Sequence, residues 1–166
     1  MVQGIGLQGF FERVTGALAK HKVRYSIVGG LAVSLHGAVR GTTDVDAVIE
    51  HTKDQFERCE AALKSIGLIP RLPVTAAEVF SFRREYIEHR NLIAWSFINP
   101  SNPLEIVNVI ITHDLKGMRS EKIKIGGRKL EVLSIRDLIA MKRDSGRAQD
   151  LEDVKALESL LEEGER

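Results

Sequence analysis

The sequence predicts an α/β (α+β) fold with a mixed β-sheet flanked by helices. Three observations lead to this class. Segments with helical periodicity alternate with short β-rich runs, a pair of glycines follows the first such run, and Gly126-Gly127 separates two strand-like runs as in a tight hairpin. The 166 residues suffice for one domain with its own core. We therefore expect a single domain over residues 1–166, with a core over about 22–133 and a C-terminal helical segment over about 134–163.

The first part of the chain fits the order helix, strand, helix, strand, helix. Apolar side chains recur at helical spacing over residues 7–20, where Leu7, Phe10, Val14 and Leu18 share one face. Strands are predicted over residues 24–28 and 44–49, the second because it alternates polar and apolar side chains. The other two helices are predicted over residues 31–36 and 53–66, each followed by a glycine.

The rest of the chain continues the alternation. Residues 74–90 begin like a helix, and the later part of this stretch also fits a strand. Residues 92–98 and 104–111 fit a hairpin or two neighbouring strands, because a loop rich in Asn and Pro separates them. A short helix over 113–118, a hairpin of strands 122–125 and 128–132, and helices over 134–141 and 150–161 complete the prediction, with Ser134 capping the first of these two helices.

Composition excludes some classes of function. The net charge of +1 gives no strong attraction to nucleic acid or to a membrane surface. A nucleic-acid substrate is therefore neither required nor excluded. The single cysteine, Cys59, cannot form an internal disulfide. The N-terminal residues lack the pattern of a signal peptide, and the apolar runs are too short to span a membrane. We expect a cytoplasmic protein with no membrane partner.

The most informative segment joins a glycine pair to a pair of aspartates. The first strand ends at Gly29-Gly30, which opens a helix, and glycines there let the backbone approach a phosphate at the helix N-terminus. Asp44 and Asp46 lie two residues apart on the next strand and so point to the same face. Alone, the glycine pair is typical of a tight turn, and Asp-x-Asp of a solvated strand. In this order, with Arg40 and Thr43 between them, they indicate a phosphate cradle and Mg²⁺ ligands.

This segment resembles the nucleotidyltransferase superfamily of the DNA polymerase beta type. The finer pattern, Gly-Gly-x-Ala, His-Gly and then Arg-x-Thr-x-Asp-x-Asp, is similar to the bacterial branch of AbiEii-like toxin nucleotidyltransferases, as is the C-terminal stretch 137–153. The resemblance covers about residues 24–157. It implies that Asp44 and Asp46 hold one or two Mg²⁺ ions, and that a nucleoside triphosphate binds near a set of residues made up of Gly29, Gly30, Arg40, Thr43, Lys142 and Arg147.

Three of these assignments have structural alternatives. Arg40 could bind phosphate or brace its loop by pairing with Asp44. Lys142 lies near a helix C-terminus, where the helix dipole favours a cation. Arg147 could form a surface pair with Asp150.

The chain departs from the superfamily pattern at one position. The superfamily supplies a third carboxylate from a neighbouring strand, and by resemblance that position falls on Asn108. An amide oxygen can bind Mg²⁺, but it cannot accept a proton as a general base. Glu105 is the nearest acid, and three residues along a strand place it on the opposite face.

Two functions of different class are consistent with these residues. The first is Mg²⁺-dependent transfer of a nucleoside monophosphate from a triphosphate to an acceptor hydroxyl on tRNA, protein or a small molecule. By family analogy, this transfer would be the activity of a toxin in a toxin–antitoxin or phage-defence pair, with an antitoxin as its partner. The second is a catalytically inactive nucleotide- or partner-binding module, which Asn108 favours. A dinucleotide-binding Rossmann domain is disfavoured because the Gly-x-Gly-x-x-Gly fingerprint is missing.

Overall fold

A computed structural model describes residues 2–165 and confirms the α/β class. Along the chain the elements are α1 (Val2–Lys20), β1 (Tyr25–Val28), α2 (Gly29–Leu35), β2 (Val45–Ile49), α3 (Lys53–Ser65), β3 (Ile69–Pro70), α4 (Ala76–Ser81), α5 (Arg83–Arg90), β4 (Ala94–Asn99), β5 (Asn102–Ile110), β6 (Ser120–Ile125), β7 (Arg128–Leu133), α6 (Ile135–Ser145) and α7 (Ala148–Gly164).

The strands form one mixed sheet in the order β3-β4-β5-β2-β1-β7-β6. The predicted hairpins β4–β5 and β6–β7 are both antiparallel pairs. At the centre, β2 runs antiparallel to β1 and parallel to β5. The parallel pair matters for function because it places residues from two distant stretches of the chain side by side.

The core on one face of the sheet is aromatic. Trp95 and Phe97 of β4 are buried with their ring centroids 4.6 Å apart, and Trp95 stacks on Phe56 of α3 at 5.9 Å. Helix α3 also packs against α1 and α4. Since side chains alternate along a strand, Ser96 between the two β4 aromatics points to the opposite face.

The helices and strands agree with the predicted order except in three places. In residues 74–90 the predicted helix start is confirmed by a capping box of Thr75 and Glu78 at α4, but the later part forms the helix α5 and not a strand. Residues 113–118 form a turn rather than a short helix, since the Asp114 carboxylate accepts a hydrogen bond from the Lys116 backbone N–H and Gly117 has a φ of +88°. The short edge strand β3 was not predicted. The side chain of Leu7 lies outside the described residues.

The C-terminal helices form an antiparallel pair beside the sheet. The Ser134 hydroxyl accepts a hydrogen bond from the Asp137 backbone N–H, which confirms the predicted cap of α6. Gly146 ends α6 with a φ of +64°, and α7 packs back along α6 and contacts α2. Within residues 2–165, every helix is too short or too polar to cross a bilayer.

Candidate active site

Two neighbouring parallel strands bring three predicted site residues together. Asp46 of β2 lies directly opposite Asn108 of β5 in the register of the sheet. The Asn108 Nδ2 group donates to Asp46 Oδ1 at 2.9 Å and lies 3.5 Å from Asp44 Oδ2. Both carboxylates and the amide therefore converge on one point, although residues 46 and 108 are far apart along the chain.

The backbone of Gly29 lies directly against the Asp46 carboxylate. Gly29 has a φ of +70°, and a Cβ built on it would lie 2.1 Å from Asp46 Oδ2. A side chain at this position would displace the carboxylate, so glycine is required for both conformation and space. Helix α2 begins here, two residues earlier than predicted.

The loop between α2 and β2 packs over the second glycine. A Cβ on Gly30 would lie 3.2 Å from both Arg40 Cζ and Thr42 Cβ. The Ser34 hydroxyl donates to the Arg40 carbonyl oxygen at 2.6 Å, which ties this loop to α2. Thr43 is exposed next to Asp44, with its hydroxyl 3.5 Å from Asp44 Oδ1.

A buried cluster of charges joins this loop to the C-terminal helices. Lys142 Nζ lies 2.7 Å from Asp153 Oδ2 and 3.6 Å from Asp150 Oδ1. Arg40 Nε lies 3.0 Å from Asp153 Oδ1, so Arg40 braces its loop through α7. The alternative in which it pairs with Asp44 is therefore wrong. Arg147 Nε lies 2.8 Å from Asp150 Oδ2, which confirms the predicted pair.

The two candidate phosphate contacts, Lys142 and Arg147, differ in how far their side chains are exposed to solvent. The side chain of Lys142 is 8% exposed and is already bound by two aspartates. The side chain of Arg147 is 77% exposed, although it shares Asp150 with Lys142. Arg147 can therefore turn toward an incoming anion at a small cost in solvation, whereas Lys142 would first have to leave two buried carboxylates.

Burial and neighbouring charge perturb the acidic groups of the site. Burial raises the pKa of Asp46, the hydrogen bond from Asn108 lowers it and the charge of Asp44 raises it, so that the pKa lies above its ordinary value. Burial alone would also raise the pKa of Asp150. The hydrogen bond and charge of Arg147, with the charge of Lys142, hold that pKa below its ordinary value instead.

A small pocket opens beside these groups. It is lined by Gly29, Asp46, Lys142, Arg147 and Asp150 on its polar side, and its apolar wall consists of Val28, Ile93, Ile110, Leu138 and Met141. Its volume of about 90 Å³ is below the roughly 300–1,000 Å³ of a pocket that encloses a whole ligand of drug size. A ligand of that size would therefore lie only partly inside this pocket.

The sequence prediction missed two residues that hold the site together. The Ser96 hydroxyl donates to Asn108 Oδ1 at 2.6 Å. Asp153 links Arg40 to Lys142, and the only sequence signal for it was the similarity of the C-terminal stretch. Glu105 behaves as predicted, since its carboxylate accepts from Arg13 of α1 at 2.6 Å, away from the aspartates.

The residues present fit a magnesium ion. Two carboxylates lie within reach of one amide hydrogen-bond donor. Burial, and to a smaller extent the charge of Asp44, raises the pKa of Asp46, and a cation would offset both effects. Mg²⁺ is commonly held by one or two carboxylates together with substrate phosphates and water. Among the described residues, no group of three or more His, Cys, Asp or Glu side chains is arranged to hold a metal. Further ligands would thus come from Asn108, water and phosphate.

Comparison with known proteins relates most of the chain to one family. The model of a family described as nucleotidyltransferase of unknown function (DUF6036) matches residues 7–163. The search of curated proteins gave no match.

Solved structures of low sequence identity share the fold. The solution structure of the antibiotic-resistance factor ANT(2'')-Ia has a TM-score of 0.64 at 12% identity, over 92% of this chain and 83% of that chain. The crystal structure of ANT(2'')-Ia with adenylyl-2''-tobramycin has a TM-score of 0.59 at 12% identity, over 91% of this chain and 87% of that chain. The crystal structure of an antigenic nucleotidyltransferase-like protein from Paracoccidioides brasiliensis has a TM-score of 0.56 at 18% identity, over 91% of this chain and 74% of that chain. These likenesses support the nucleotidyltransferase fold.

Proposed function

Because this chain belongs to the family of nucleotidyltransferases of unknown function DUF6036, we propose that it transfers a nucleoside monophosphate from a Mg²⁺-bound nucleoside triphosphate to an acceptor hydroxyl. The observation that carries this proposal is the convergence of Asp44, Asp46 and Asn108 beside the backbone of Gly29. Two like charges held together at the start of a strand are costly without a cation, and nucleotidyl transfer uses such a cation.

Each residue has a defined part in the proposed reaction. Asp44 and Asp46, with the amide oxygen of Asn108, would hold Mg²⁺, which when bound neutralises charge on the phosphates and stabilises the attacking and leaving oxygens. The backbone at Gly29 and Gly30 allows close approach of the triphosphate. Arg147 is the exposed cation best placed to contact a phosphate.

One bond forms and one breaks at the α-phosphorus. The acceptor oxygen forms a bond to this phosphorus, the bond between the phosphorus and the bridging oxygen to the β-phosphate breaks, and pyrophosphate leaves. Asn108 cannot take the proton of the acceptor hydroxyl, so the proton passes to solvent. We therefore propose a slow enzyme, since a positioned general base contributes about 10²–10⁴-fold in rate.

A small-molecule acceptor is supported by the complex of ANT(2'')-Ia with adenylyl-2''-tobramycin. Acceptors on tRNA or protein are equally compatible with the site. An AbiEii-like toxin role, an antitoxin partner and a cytoplasmic location stay predictions from the sequence.

The second candidate is an inactive nucleotide- or partner-binding module. It is favoured by one observation, that the side chain placed beside the two carboxylates is the amide of Asn108, which cannot accept a proton as a general base. Such a module would bind Mg²⁺-triphosphate without releasing pyrophosphate.

Pyrophosphate release separates the two candidates. The wild type and Asn108→Asp would be incubated with Mg²⁺, each of the four triphosphates and pools of tRNA, protein or aminoglycoside acceptors. Slow release by the wild type that rises about 10²-fold or more in Asn108→Asp supports an enzyme that lacks its general base. Binding of triphosphate with no release in either protein, under any acceptor, favours the inactive module.

A further inference from the structure

The orientation of the Asn108 side chain is determined by its partners. Asp44 and Asp46 carboxylates can only accept hydrogen bonds, so the Asn108 NH₂ group faces them. The Asn108 oxygen consequently points away from the aspartates and accepts from the Ser96 hydroxyl at 2.6 Å. In this orientation the amide donates at the place where a cation ligand would need an oxygen.

Ser96 is held in place by the sheet. It is the direct cross-strand partner of Asn108 in the β4–β5 pair, on the face opposite the Trp95 and Phe97 rings. Neighbouring side chains in such a pair lie close enough to interact directly. The two side chains therefore stay in contact whichever way the amide is turned.

We propose that Ser96 is a positioning residue that supports two orientations of Asn108, an inference that rests on the proposed function. In the orientation that the structure shows, the Ser96 hydroxyl donates to the amide oxygen and the NH₂ group faces the two carboxylates. In the orientation that would serve a cation held by Asp44 and Asp46, the amide is reversed, so that its oxygen would face the cation and its NH₂ group would donate to Ser96. A hydroxyl can serve both states because it both donates and accepts.

The same pairing offsets the repulsion between the two carboxylates. Asn108 supplies N–H donors to both of them, whereas an aspartate at this position would add a third negative charge. Alanine at position 96 would leave the amide oxygen without its donor in the orientation shown, and the NH₂ group without an acceptor in the reversed orientation. An unpaired N–H group is the costlier of the two losses, so alanine should disfavour the reversed amide and weaken cation binding, whereas threonine retains a hydroxyl.

Binding of Mn²⁺, measured by the loss of its free EPR signal, tests this inference. Ser96→Ala should bind Mn²⁺ about 10–100-fold more weakly than the wild type, the usual effect of removing a group that orients a metal ligand. Ser96→Thr should restore most of the affinity. Ser26→Ala is the matched control, because Ser26 is a buried strand serine whose hydroxyl bonds to Ser120 and not to the site; it should bind like the wild type.

The outcomes distinguish this inference from the proposed function. Unchanged Mn²⁺ affinity in Ser96→Ala, alongside lost binding in Asp46→Asn, would overturn the role of Ser96 and leave the proposed function standing. Failure of the folded wild type to bind Mn²⁺, with and without a triphosphate, would overturn both. If thermal melting shows that Ser96→Ala does not fold, Ser96→Cys replaces it, and its weaker S–H group should reduce affinity several-fold. Wild-type affinity in Ser96→Cys would count against the proposal.

Discussion

Replacing Gly29 with alanine tests whether the start of α2 and the Asp46 carboxylate form one site. The new Cβ would lie 2.1 Å from Asp46 Oδ2, whereas ordinary contact begins at 3.4 Å, a shortfall of about 1.3 Å. Rotating the aspartate side chain cannot relieve the clash, because the Cβ of Asp46 would also lie at only 2.9 Å. The backbone of β2 or of α2 must therefore shift.

The size of this shift sets the expected effects. Mg²⁺ demands ligand distances of about 2.0–2.1 Å in near-ideal geometry. A displacement of about 1 Å at such a site can reduce function by about 10²-fold, so Gly29→Ala should weaken Mg²⁺-triphosphate binding by at least that factor. The φ of +70° adds a strain of about 1–2 kcal/mol for alanine. That strain lowers Tm by roughly 2–8 °C in a chain of this size.

Gly67→Ala is the matched control for the strain. Gly67 has a φ of +88°, and a Cβ there would meet no atom within 4 Å. Gly67→Ala should lose only the stability that corresponds to this strain, and it should keep wild-type nucleotide binding. Calorimetry gives the binding and thermal melting gives the stability. If Gly29→Ala is folded and binds Mg²⁺-triphosphate as tightly as Gly67→Ala does, Gly29 and Asp46 do not form the site.

Three further predictions concern the charge cluster and the cysteine. Lys142→Met leaves two buried carboxylates without their shared cation, so it should lower the free energy of unfolding in urea by about 3–5 kcal/mol. The exposed Arg147→Met should lower it by only about 1 kcal/mol. Equal losses in the two variants would contradict a buried Lys142. Because the folded pKa of Asp150 lies below its ordinary 3.8, its stabilising effect is present above pH 3.8 and is lost as pH falls toward the folded value. As pH falls over that acid range, the Tm of Asp150→Asn should therefore fall less than the Tm of the wild type. Parallel curves of Tm against pH would argue against the pairing of Asp150 with Arg147 and Lys142. Burial and the nearby charge of Glu60 raise the pKa of Cys59 to about 12, so a thiol reagent should label it only in denaturant; rapid labelling of the native protein would show an exposed thiol.

The sequence was sufficient to predict the centre of the candidate site. Asp44 and Asp46 are two residues apart at the start of an alternating strand, and this spacing alone places both on one face. The family resemblance singled out Asn108, and the structure places it in register with Asp46. The first step depends on local pattern alone. The second depends on the family resemblance, because the pairing of β2 with β5 joins distant stretches of the chain.

Ser96 could not have been placed by the same reasoning. The β4–β5 hairpin closes on the pair Asn99↔Asn102, and a regular continuation from there would set Ser96 opposite Glu105. A register shift at Ile98 and Asn99 sets it opposite Asn108 instead. No glycine or other residue pattern in the loop signals this bulge.

The burial of Lys142 is also a tertiary effect. Its place near the end of α6 predicts a solvated cation that interacts with the helix dipole. It is buried only because α7 turns back along α6 and brings Asp150 and Asp153 to it. The incorrect strand alternative for the later part of residues 74–90 has a different origin. Helix α5 begins after Phe82 without a side-chain cap, so no capping residue marks its start in the sequence.

Calorimetric titration with ATP, CTP, GTP and UTP, with and without Mg²⁺, tests the central claim most directly. If Asp44, Asp46 and Asn108 form a cation site beside Gly29, at least one triphosphate binds the wild type only when Mg²⁺ is present. The same triphosphate then fails to bind Asp44→Asn, which should remain folded because Asp44 is not part of the core. A folded wild type that binds no triphosphate, or an Asp44→Asn variant that binds as tightly with Mg²⁺ as the wild type, would contradict the account.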